Sequence, residues 1–194
     1  MPDLIRFSEF HGIKIATIAD LIAYRLRHDR IVERILETTL DSLYGGEFHM
    51  IIYANKATYA EHVALVKGDL STTGPVLARM HAFNVLDDVL GNNRSDKAKE
   101  LHRSMELISE AGRGVIVLIR EPYKTTLSDR VRAKPGISEQ GGGELRVYGV
   151  GAQILLDLGI KEMILLSNSK RTIVGIEGYG LTVTDQCPIP LDGE

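Results

Sequence analysis

Apolar residues along this chain change their period several times, and each change marks an element. Leu4, Ile5, Phe7 and Phe10 recur at helical spacing and predict a short amphipathic helix that ends near Gly12. Thr17 is placed to cap a second helix, with Leu21, Ile22, Tyr24 and Leu26 apolar and Arg25, Arg27 and Arg30 polar. From Ile31 the pattern turns to strands. Ile31 to Leu43 is rich in β-branched and apolar residues and runs into the turn Tyr44-Gly45-Gly46. Phe48 to Tyr53 and His62 to Val66 predict two further strands. Gly68 to Pro75 reads as a turn-rich loop, and Val76 to Phe83 as a buried strand.

The second half alternates helix and strand. Ala98, Leu101, Met105 and Ile108 fall on one helical face, with Asn92 or Asn93 as the expected cap and Gly112 or Gly114 as the stop. Val115 to Ile119 is apolar without alternation, which predicts a strand buried on both faces. Pro122 to Gly143 has few apolar anchors and a glycine triplet, and is expected to be a mobile surface loop. A helix with Val147, Val150, Ile154, Leu155 and Leu158 on one side follows and stops at Gly159. Lys161 to Ser167 is then a strand, Ser169 to Gly178 a helix-like or turning segment, and Leu181 to Ile189 a last strand.

Composition narrows the classes. The 194 residues suffice for one sizeable domain, or for one domain with an appendage. A net charge of −3 offers no basic excess for a phosphate backbone, so nucleic acid is not an expected partner. No apolar run is long enough to span a bilayer, and the N-terminus has no signal-peptide pattern. A single cysteine, Cys187, excludes an internal disulfide and fits a reducing cytoplasm; its apolar strand context predicts a buried, inert thiol. His28, His49, His62 and His102 share no metal-ligand spacing and are expected at the surface or half-buried. The pair Asp87-Asp88 could hold Mg²⁺ weakly, but a solvated turn is the expected reading.

The stretch Val76-Leu77-Ala78-Arg79-Met80-His81-Ala82-Phe83-Asn84, followed after ten residues by Ser95-Asp96-Lys97, resembles the V-L-x-R-V-H-S-E-C … C-D-C segment of GTP cyclohydrolase II. Tyr148-Gly149-Val150-Gly151-Ala152-Gln153-Ile154-Leu155-Leu156-Asp157-Leu158-Gly159 is similar to that family's Y-G-I-G-A-Q-I-L-x-D-L-G, and Gly175 to Leu181 to its G-L-x-G-Y-G-L. The pair Gly149-x-Gly151 is not a dinucleotide fingerprint, because Ile154 stands where a third small residue is needed. Residues 1–30 resemble the last stretch of 3,4-dihydroxy-2-butanone 4-phosphate synthase, which precedes the cyclohydrolase in fused riboflavin-pathway proteins. The resemblance implies two parts, a helical arm over 1–30 and a cyclohydrolase-like domain over 31–194. It also implies a mixed α/β fold, with antiparallel N-terminal strands and a βαβ-like C-terminal half, and a homodimer.

The chemistry the resemblance implies is ring opening of GTP by a zinc-activated water, and this chain departs from it at the decisive letters. The three metal cysteines fall on Asn84, Ser95 and Lys97: a neutral amide, a neutral hydroxyl and a cation. No metal or other cofactor is therefore expected. Arg79 and His81 survive, but the acid and serine of that segment are Phe83 and Ala82, and a nucleobase-contacting glutamine is Glu100. The E-G-R phosphate contacts are replaced around Pro122, Tyr123 and Lys124, and the family's R-A-Y tyrosine by Lys134. Its proton acceptor and proposed nucleophile fall on Glu144 and Arg146. Its T-N-N-P-R-K falls on Ser167 to Thr172, which leaves Lys170 and Arg171 as displaced cations.

Three functions follow as expectations. The first is a non-catalytic domain with a structural, dimerising or regulatory role beside the synthase. The second is a binding module for a phosphate-bearing small molecule, using Arg79, His81, Lys124, Ser167, Lys170 and Arg171. The third is an active GTP hydrolase with an altered, zinc-independent mechanism, in which Glu144 and Arg146 would be the catalytic residues.

Overall fold

The structure is a computed structural model. It describes residues 2–16, 24, 29–56, 60–92, 95, 97, 99–120, 126–132, 142–169 and 179–191. Helix α1 spans Pro2–His11 and stops at Gly12, as its spacing predicts. Most of the expected helix after Thr17 lies outside the described residues; Tyr24 is helical and Arg30 is not.

One seven-stranded sheet organises the rest. Its strands are β1 (Val32–Ser42), β2 (Gly46–Asn55), β3 (Ala60–Lys67), β4 (Val76–Ala82), β5 (Gly114–Ile119), β6 (Glu162–Leu166) and β7 (Thr182–Cys187). They lie in the order β1-β2-β3-β5-β4-β6-β7. The first three form an antiparallel meander, and β3 pairs antiparallel with β5. The pairs β4–β5, β4–β6 and β6–β7 are parallel. Parallel neighbours need crossovers; the helix α2 (Glu100–Ala111) lies in the connection from β4 to β5, and α4 (Gly142–Asp157) in the connection from β5 to β6. This is the mixed α/β plan expected from the sequence.

Each face of the sheet buries its own core. On one, Tyr53, Ala64, Val66, Ala78, Val117 and Ile119 meet Val150, Ala152, Ile154 and Leu155 of α4. On the other, Phe48, Leu65 and Ile116 meet Leu101, Met105 and Ile108 of α2. Strand β5 is the hinge of this arrangement: alternate residues serve alternate cores, so its whole run is apolar. The two glycines of the rejected dinucleotide pattern bring α4 close to its neighbours. A Cβ on Gly149 would lie 2.5 Å from the Tyr179 hydroxyl, and one on Gly151 would lie 2.8 Å from Met80 Sδ. Gly114 is tighter in its consequence, because its Cβ would meet a backbone atom, Leu77 O, at 2.6 Å. Gly114→Ala should therefore cost about 1–3 kcal/mol, read as a lower urea midpoint at unchanged slope.

Four local expectations need correction. The cap of α2 is Lys99, at φ 75° and with no side-chain cap bond, rather than Asn92 or Asn93. Asn92 is instead bonded to Asp87, five residues before it. The run 122–143, expected to be one loop, contains helix α3 (Thr126–Arg132) and the start of α4 at Gly142. His62, expected near the surface, is buried in β3 and accepts a bond from the Arg120 amide at 3.2 Å through Nδ1. Burial and the nearby Arg120 charge hold its pKa down at about 4, so it sits neutral in the core. Cys187 is half-buried rather than fully enclosed.

Candidate functional site

Parallel strands open their C-terminal ends to ligands, and the matched letters cluster at those ends of β4 and β6. Strand alternation turns Arg79 and His81 to the same face, the one covered by α2. Both are buried. Arg79 spends its guanidinium inside the protein. Its Nη2 donates to Glu100 Oε2 at 2.6 Å and lies 3.3 Å from His81 Nδ1, while Nη1 donates to Leu166 O at 3.0 Å. A guanidinium only donates, so Nδ1 of His81 is the acceptor and Nε2 carries the proton. That Nε2–H lies 2.9 Å from both carboxylate oxygens of Asp88.

Glu100 opens α2 and is the buried counter-ion of Arg79. Its second oxygen accepts from Asn168 Nδ2 at 3.4 Å. Asn168 also clamps Ile189, donating to its carbonyl at 3.0 Å and accepting from its amide at 2.7 Å. One polar line thus ties β4, α2 and the ends of β6 and β7 together.

The segment after β4 is a single π-helical turn, Val85–Val89. Asn84 caps it: its Oδ1 accepts from Leu86 N at 3.1 Å, and its Nδ2 donates to Asp87 Oδ2. Asp88 accepts from the Asn84 backbone N–H at 2.8 Å. Burial would raise the Asp88 pKa, but the bonds from His81 and from that N–H outweigh it and hold the carboxyl below its usual range. Asp87 and Asp88 are buried, so the expectation of a solvated turn is wrong. An unpaired carboxylate would not tolerate this burial, and both have donors here.

The other candidates fall in different places. Ser167 continues from β6; its Oγ accepts from Ser169 N at 3.1 Å, a local turn. Glu144 and Arg146 lie in the first turns of α4. Lys124, Lys170 and Arg171 lie outside the described residues. The geometry therefore brings Arg79 and His81 together, and adds Glu100, Asp87, Asp88, Asn92 and Asn168 as partners that a residue-by-residue reading missed. Glu100 could have been found as the carboxylate that opens the helix following a buried-strand arginine. The structural letters of the α4 motif are explained too. Gln153 donates to Asp29 O at 2.8 Å and accepts from Ile31 N at 3.0 Å, anchoring the entry to β1. Asp157 accepts from Tyr53 Oη at 2.8 Å and from Arg34.

The donor set does not fit zinc. Asn84 uses both ends of its amide locally, Ser95 Oγ accepts from Lys97 N at 3.2 Å, and Lys97 is an exposed cation. Among the described residues no group of three or more His, Cys, Asp or Glu side chains is arranged to hold a metal ion.

The comparisons bear on the whole domain. The family model of GTP cyclohydrolase II matches residues 33–188. Riboflavin biosynthesis protein RibBA of Bacillus mycoides (strain KBAB4) is 40% identical over 204 aligned positions, covering 98% of this chain and 51% of that protein. The protein of the same name from Bacillus cereus (strain B4264) matches with the same identity and coverage. A solved structure, RibBX, described as a two-domain 3,4-dihydroxy-2-butanone 4-phosphate synthase from A. baumannii, is 30% identical with a TM-score of 0.56. The match covers 98% of this chain and 49% of that one. The chain thus spans about half the length of the curated relatives it matches. With its family letters holding the sheet, α4 and the Arg79 strand in place, and the family match running from β1 to the end of β7, this chain belongs to the GTP cyclohydrolase II family.

Proposed function

We propose that this is a riboflavin-biosynthesis domain of the GTP cyclohydrolase II family that does not open the guanine ring, and that it has a structural, dimerising or regulatory role beside a 3,4-dihydroxy-2-butanone 4-phosphate synthase. The observation that carries this is the commitment of Asn84 and Ser95 to backbone bonds, with a cation at Lys97, in place of three thiolates. A zinc-bound water needs anionic or imidazole ligands with free lone pairs, and none of these three side chains supplies one. The binding chemistry is altered in the same direction. Where the resemblance implies a glutamine contacting the base, Glu100 neutralises Arg79, so that two groups a nucleotide would need are spent on each other. The likeness to a solved two-domain synthase, about half of which matches this chain, supports the setting of the role.

Two measurements test the reading. Elemental analysis of purified protein is expected to find no stoichiometric zinc, and formate release from GTP should stay at the level of a protein-free control. About one tightly held zinc per chain, or robust formate production, would overturn it. Metal-independent formate production would favour the altered-mechanism reading, with Glu144 and Arg146 as the first positions to substitute.

A further inference from the structure

The positions of the absent metal ligands are not simply left open. A chain of hydrogen bonds runs between them. Asn84 Nδ2 donates to Asp87 Oδ2, and Asn92 Nδ2 donates to Asp87 Oδ1 at 3.2 Å. The Asn92 carbonyl accepts from Ser95 N at 3.0 Å, and Ser95 Oγ accepts from Lys97 N at 3.2 Å. The three positions 84, 95 and 97 are therefore connected without a metal. The connection is anchored to the sheet, because Asp88 accepts from both His81 and the Asn84 amide.

We propose that Asp87, bridging the amides of Asn84 and Asn92, is a metal-independent staple that closes the 84–97 loop at the end of β4. The inference rests on the reading that this segment holds no zinc, and adds what holds it instead. Asp87 suits the task chemically. Its carboxylate has two oxygens and about four acceptor sites, so it can take one amide on each oxygen and face both ways along the loop. It is buried, where a charge-assisted bond is stronger than in water and an unmet carboxylate is costly. The flanking amides are neutral donors, so the staple needs no cation. The π-helical turn between them widens the backbone by one residue per turn. It ends with Leu90 N donating to Val85 O at 3.0 Å, and Asn92 N donates on to Leu86 O at 3.0 Å.

A staple of this kind has a signature that differs from that of a metal. Amide hydrogen exchange of the whole chain, followed at Leu86, Asn92 and Ser95, is expected to be unchanged by excess EDTA or by added ZnCl₂. Asp87→Ala should raise exchange at these amides about ten- to a hundredfold. Lys97→Ala, which removes only an exposed side chain, should leave them within about twofold. Should Asp87→Ala fail to fold, Asn92→Ala removes one arm alone and should still speed exchange at Asn92 and Ser95 several-fold. Unchanged exchange in the foldable variant of the two, or a rise as large in Lys97→Ala, would overturn the staple. Loss of protection on adding EDTA would instead overturn the metal-free reading beneath it, and formate assays on the same samples would separate the two failures.

Discussion

Removing the Glu100 carboxylate should destabilise the fold by about 3–5 kcal/mol, the range for breaking one side of a buried ion pair. The two side chains are nearly enclosed, at 10% and 9% exposure, and meet at 2.6 Å. Glu100→Ala would take the carboxylate from a buried guanidinium that cannot shed its proton, while its bonds to Leu166 O and the His81 ring stay. Glu100→Gln keeps the shape and an acceptor for Arg79, so its loss should be well below that of alanine. Replacing both partners, as Arg79→Met with Glu100→Met, should recover most of the stability, because the apolar pair removes both desolvation costs together. Urea titration of the wild type, Arg79→Met, Glu100→Met and the double variant gives the cycle. A loss in Glu100→Ala below about 1 kcal/mol would mean that Arg79 is not committed to Glu100 and is available to a ligand, which would reopen the phosphate-binding reading.

The fold was largely legible because its cues are local and repeated. Period-two and continuous apolar runs placed all seven strands. The β4 and α4 motifs, together with helix α2 at its 101-105-108 spacing, set the βαβ-like half. The errors arose where a side chain acts on something distant or unusual. Lys99 at positive φ stands in place of an asparagine cap because the helix starts only at Glu100, well past Asn92, whose amide is bonded to Asp87. The Asp87-Asp88 pair read as solvated because carboxylates usually are. Burial was decided by His81 on the preceding strand and by two asparagines in the same loop, and this combination is visible only when the loop is folded. His62 was misplaced for a similar reason, since the Arg120 amide that satisfies its Nδ1 is 58 residues away in sequence. The candidate site was legible at the level of which letters are missing. It was not legible at the level of what replaces them, because the replacement uses residues with no place in the family's chemistry.

The Asp88 carboxylate should set part of the acid sensitivity of the domain. Its folded pKa lies below the ordinary value of 3.8, because the bonds from His81 and the Asn84 amide outweigh the opposing effect of burial. A carboxyl depressed in the folded state adds stability that is complete above its unfolded pKa and is lost as pH falls through the folded one. The window is therefore below about pH 4, where protonation must break both accepted bonds. Asp88→Asn replaces the anion with a neutral amide. It should lower stability near pH 7 by about 1.5–3 kcal/mol, the worth of charge-assisted bonds to a buried acceptor. The same variant should lose less on going from pH 5 to pH 2, so the two stability curves converge in acid. Asp157 is depressed as well, by Arg34 and Tyr53 against the opposing effect of burial, and the acid limb of Asp88→Asn should retain that share. Thermal melts at half-unit steps would resolve the pattern. Parallel curves from pH 5 to pH 2 would mean that the bonds from His81 and the Asn84 amide do not shift the Asp88 carboxyl between the folded and unfolded chain, and that the loop after β4 is closed by Asp87 and its two asparagines alone.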